Sequence, residues 1–226
     1  ALPQAETCFT RAIELTPGLV SARAGMGVTC ARQGRLAEAL QMQKAAVALD
    51  SSRASAFNNI GAIALAEGRL DEAEQQFSAA IALRDDWSLP HANLALTYLD
   101  MNRFADAVRE GELAVKLGED SARVHTTLGR VYLEQNRVNK AWAALRKAVQ
   151  LDPDYALARL HLAEVYARMG RNRDAVNHQL QAVSRQPSAI LETREYSRTE
   201  VTASVGSFAA DIKTDGRAAD GTLSYY

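Results

Sequence analysis

Few residues of this chain are placed to do chemistry. The histidines are His91, His125, His161 and His178, and no two of them stand at the spacing that would turn a pair toward one metal on a helix. Cys8 and Cys30 form no CxxC pair, and each reads as a small buried hydrophobe. The sequence has no glycine-rich phosphate loop after a strand, no GxSxG turn, and no cysteine with a histidine base. Its carboxylates are scattered at spacings that put them on helix surfaces, where they serve solvation. No catalytic residue, metal ligand or cofactor is therefore expected. Amide chemistry is what remains: Asn59 and Asn93 each offer a donor and an acceptor and can pair with both polar groups of an extended peptide unit. A bond to an adjacent helix is the alternative use for each.

Charge narrows the partners. Lysine plus arginine number 26 against 27 acidic residues, a net charge of -1, so the field that would draw the chain to nucleic acid is missing. No apolar run approaches the roughly 18 residues needed to span a bilayer, so residues 1–187 are not expected to insert into a membrane.

What positions these residues is a repeat. Sliding the sequence against itself gives a period of 34, with alanine at 5, 39, 73, 107, 141 and 175 and again at 12, 46, 80, 114, 148 and 182. A third column reads Gly27, Gly61, Ala95, Gly129, Ala163, minimal side chains where two helices must approach closely. A large apolar residue precedes each (Met26, Ile60, Leu94, Leu128, Leu162). Seven residues after the small one comes a turn former (Gly34, Gly68, Asn102, Asn136, Gly170) that tolerates the left-handed conformation ending a helix. An arginine follows each turn, and helical apolar spacing then resumes. Each copy is helix, tight turn, helix. The helices are expected at 2–15, 20–33, 36–49, 54–67, 70–83, 88–101, 104–117, 122–135, 138–151, 156–169 and 172–185.

The 34-residue length, the large-small pairs such as Ile60-Gly61 and Leu128-Gly129, the tyrosines Tyr98, Tyr132 and Tyr166, the alanine columns and the closing prolines Pro17, Pro153 and Pro187 resemble the tetratricopeptide repeat. The resemblance covers residues 1 to 187 and implies an all-α, right-handed superhelical solenoid of about 5.5 repeats, a half repeat 1–17 and then five whole ones. It departs at the usual tryptophan, which is Arg23, Phe57, His91, His125 or Arg159 here, and at Cys30 and Ala64, which replace a tyrosine. The final copy turns polar, with Asn172 where Leu36, Leu70, Phe104 and Val138 stand.

Residues 188–226 differ in composition, rich in Ser, Thr, Ala and Gly, with no helical period. Two readings stand: a disordered linker, or strands from Glu200 to Lys213 and over the last five residues, joined by Asp215-Gly216 and Asp220-Gly221 turns, as the start of a following β domain. Some bacterial envelope proteins of this family join repeats to an outer-membrane barrel. That layout leans the localisation toward the bacterial periplasm or cell envelope, with the cytoplasm as alternative.

The resemblance also implies where a ligand sits, since the first helix of each copy lines the concave face in this family. Groove columns then include Leu65, Leu99 and Leu133, with Leu96 beside them, and Arg123 and Arg130 toward the later copies. With Asn59 and Asn93 these residues are the expected partner-binding set, on a face that water reaches and helix packing does not need. The expected function is a non-enzymatic module or scaffold holding a protein or peptide. The alternative is a structural polymer in which the open half repeat stacks on another chain.

Overall fold

A computed structural model describes residues 2–118 and 121–185, so the expectations for 188–226 lie outside the described residues. Eleven helices and no strand occur among them: α1 (Leu2–Leu15), α2 (Val20–Arg32), α3 (Leu36–Leu49), α4 (Ala54–Ala66), α5 (Leu70–Leu83), α6 (Ser88–Asp100), α7 (Phe104–Leu117), α8 (Ala122–Glu134), α9 (Val138–Leu151), α10 (Ala156–Arg168) and α11 (Asn172–Arg185). The fold class is the all-α solenoid type expected from the repeat. The chain falls into two compact units that divide between Asp85 and Asp86.

Turn chemistry explains the ends of the helices. Gly34, Gly68 and Gly170 have φ of 76°, 74° and 73°, and Asn102 and Asn136 follow at 60° and 55°. In each turn the left-handed residue donates its N–H to a carbonyl three back, and the arginine after it donates five back, as in Arg35 N to Cys30 O at 2.9 Å and Arg103 N to Tyr98 O at 2.8 Å. These bonds occupy carbonyls that the last helical turn leaves open. The first helix of each pair therefore ends one residue before the expected limit. Gln33, Glu67, Met101, Gln135 and Met169 act as C-caps, with ψ close to zero.

The same arginines open the second helices. Arg35–Glu38, Arg69–Glu72, Arg103–Asp106 and Arg171–Asp174 pair three residues apart, and each acid lies in the first turn, where the helix dipole favours a negative charge. Arg103 and Arg171 also lie over the rings of Tyr98 and Tyr166, 4.2 and 4.6 Å from their centroids. In α9 the acid is replaced by Lys140, which instead sits 5.2 Å from the Tyr132 ring centroid.

In the first unit α2 and α3 form one hairpin and α4 and α5 the next, with α1 packed on α2 and α3 on α4. In the second unit the hairpins are α6–α7, α8–α9 and α10–α11, and α8 lies against both α6 and α10. The alanine columns sit at the crossings: Ala39, Ala46, Ala73, Ala80, Ala107, Ala114, Ala141 and Ala148 are fully buried. Facing positions exchange size. A methyl group added at Gly27, Gly61 or Gly129 would run into Gln43, Phe77 or Leu145, whereas Ala95 already carries one and faces Gly111. Where both facing residues are small, at Ala95 and Gly111, the Leu128 side chain comes in beside Gly111.

The missing tryptophans have substitutes that the pattern did not foretell. Arg23 donates from Nε and Nη2 to the Pro17 carbonyl at 3.1 and 2.8 Å. Four repeats on, Arg159 Nε donates to the Pro153 carbonyl at 2.7 Å. Both prolines precede a helix by a short turn, so the guanidinium ties that turn to the helix it introduces.

Candidate functional site

The expected site residues divide between the units: Asn59 and Leu65 in the first, and Asn93, Leu96, Leu99, Arg123, Arg130 and Leu133 in the second. In the first unit they lie on α4, whose thirteen residues include no charge. Asn59 is 2% exposed and its side-chain oxygen is enclosed without a hydrogen-bond partner. Leu65, six residues on, is buried as well.

In the second unit α6 carries Asn93, Leu96 and Leu99, all buried. Arg123, near the start of α8, donates from Nη2 to Asn93 Oδ1 at 3.3 Å. Arg130, two turns further along α8, points its Nη2 at Asp100 Oδ1 across 3.8 Å. From α10, Arg168 donates to the Leu133 carbonyl at 2.7 Å and to Glu164 at 2.6 Å. Each of these arginines ties the first helix of one copy to that of the copy before it.

Two expectations change here. Water was expected to reach Asn59 and Asn93, and both are buried; Asn93 is engaged by the adjacent helix, the structural use that asparagine allows. The leucines were expected on a face that packing does not need. Leu133 belongs instead to a core cluster with Leu128, Tyr132, Leu145, Leu162 and Val165. The physical reason is the close approach of α8 and α10, which turns a position on the rim of an isolated hairpin into an interior one.

The titratable groups are used within the fold. His91 Nδ1 lies 2.8 Å from Glu110 Oε2, and this bond, helped by Arg109, holds the Glu110 carboxyl below its ordinary range against the opposing effect of burial. His161 and Arg168 act likewise on Glu164. His178 stacks on Tyr166 with ring centroids 5.3 Å apart, and burial lowers its pKa. Burial and the bond to Glu112 push the Tyr132 hydroxyl above its usual range. Among the described residues no three His, Cys, Asp or Glu side chains are grouped to hold a metal. Cys30 is buried as expected, but Cys8 is exposed, on a helix α1 that has no buried residue. No helix among the described residues is long and apolar enough to cross a membrane.

Comparison with known proteins decides the family. Profiles described as tetratricopeptide repeat and TPR repeat match residues 2–54, 44–88 and 129–170, more than half of the chain together. The chain belongs to the tetratricopeptide repeat family. Tetratricopeptide repeats are protein-interaction modules and typically non-catalytic. No curated protein matches this one. Among solved structures it is similar to YrrB, described as a TPR protein with an unusual peptide-binding site, at 21% identity and TM-score 0.54 over 81% of this chain and 94% of that one. It is similar to PilF of Pseudomonas aeruginosa at 22% identity and TM-score 0.66, covering 89% of each. It also matches a chain of the Cut9–Hcn1 structure at 17% identity and TM-score 0.75, over 91% of this chain and 39% of that one. At these identities the likeness is one of fold.

Proposed function

We propose that this tetratricopeptide array is a scaffold that holds an extended peptide or protein segment, with helix α4 as its contact on the first unit. The observation that carries the reading is Asn59. An enclosed amide oxygen without a donor costs about 1–3 kcal/mol, a cost removed when the cover over it opens and a partner's backbone N–H reaches it. Around it α4 is uncharged, and Ser55, Ala62 and Ala66, small and buried like Asn59, leave room for a backbone to lie close once that side opens. On the second unit Leu96 and Leu99 would supply apolar contact, with Arg123 and Arg130 at the polar margin. An asparagine that holds main chain rather than side chains would bind without reading much sequence.

The test uses the chain as bait in an extract of its native source, followed by calorimetric titration of the captured protein. Asn59→Ala is expected to weaken binding about tenfold or more, since a truncated anchor residue typically costs above 1 kcal/mol. Equal affinity of the variant and the wild type would remove the asparagine from the site.

A second reading, self-assembly by end-to-end stacking, has one observation in its favour. Helix α1 has no buried residue, and Leu15 on it is 68% exposed. Light scattering across a concentration series separates the readings: stacking gives a mass that keeps growing, and a binding module gives a fixed one. Placement in a bacterial envelope assembly is a further proposal, resting on the layout of the sequence, and fractionation of the native cell tests it.

A further inference from the structure

We draw no further inference here: the strongest candidate, the uncharged side of α4 around the buried and unpartnered side-chain oxygen of Asn59, belongs to the site already described, and nothing among the described residues shows what covers it.

Discussion

Asn102 and Asn136 do the work of glycine at two of the five repeat turns, at φ of 60° and 55°. Asparagine tolerates this region better than other side chains, yet a Cβ there still costs something. Asn136→Ala is expected to lower stability by about 1 kcal/mol and Asn136→Gly to leave it equal or slightly raised. Urea midpoints at an unchanged slope measure both, and an unaffected alanine variant would mean that the turn does not constrain its backbone. Glu110 makes a second prediction at this scale. Its carboxyl is held below the ordinary range in the folded chain by His91 first and Arg109 after it. A lowered folded pKa contributes stability that is present above the unfolded value and is lost as pH falls through the folded one. Glu110→Gln is therefore expected to flatten the acid limb of a melting-temperature profile, while the wild type falls more steeply. Parallel acid limbs would show that the bond to His91 contributes no net stability.

Side-chain sizes are matched where helices cross, within a hairpin at Gly129 and between hairpins at Gly111. At Gly129 an added Cβ would sit 2.4 Å from Leu145 Cγ, a branched and fully buried neighbour, while at Gly111 the nearest atom is the Cδ1 end of Leu128 at 3.1 Å. Both glycines lie inside helices, where alanine is intrinsically better by about 1 kcal/mol. Overpacking by about 1–3 kcal/mol should outweigh that gain at Gly129, and at Gly111 it should not. Gly129→Ala is thus expected to lower the denaturation midpoint, and Gly111→Ala to hold or raise it. Opposite signs would assign the swap to the wrong pair. Ala73→Leu and Ala141→Leu, at fully buried crossings, should each cost about 1–3 kcal/mol on the same ground. An unchanged midpoint there would mean that the repeat register is misplaced.

In the whole molecule, stability and binding respond differently to the two asparagines. Asn59→Ala deletes an acceptor that has no partner, so melting should stay level or rise even as partner affinity falls. Asn93→Ala takes an acceptor from Arg123 and should cost about 1 kcal/mol of stability whether or not a partner is present. Melting curves of the two variants, compared with titrations, separate a residue kept for binding from one kept for the fold. A drop in stability at Asn59 equal to that at Asn93 would make both structural. Unfolding itself has a built-in reporter, since Trp87 and Trp142 both lie in the second unit, while circular dichroism sees the helices of both. Repeat arrays unfold as coupled neighbouring units rather than strictly all-or-none. Ala73→Leu, in the first unit, is expected to move the dichroism transition ahead of the tryptophan one; coincident shifts would indicate a single cooperative block.

Local pattern alone determined the helices of this protein, because a 34-residue repetition of alanine columns, small residues and turn formers encodes short-range geometry and is read many times over. Boundaries read from it agree with α1 to α11 to within one residue, the difference being the C-cap that precedes each left-handed turn. Family membership was legible for the same reason. Burial at the first helices was not. Whether Leu133 meets solvent or Leu162, and whether Asn93 is open or held by Arg123, depends on how closely successive helices approach, which no single helix records. Nor did the pattern show Arg23 and Arg159 bonding the carbonyls of Pro17 and Pro153, because a long side chain in place of a tryptophan finds its partner only in three dimensions. Periodicity determined which residues share a face, and tertiary packing decided which of those faces water can reach.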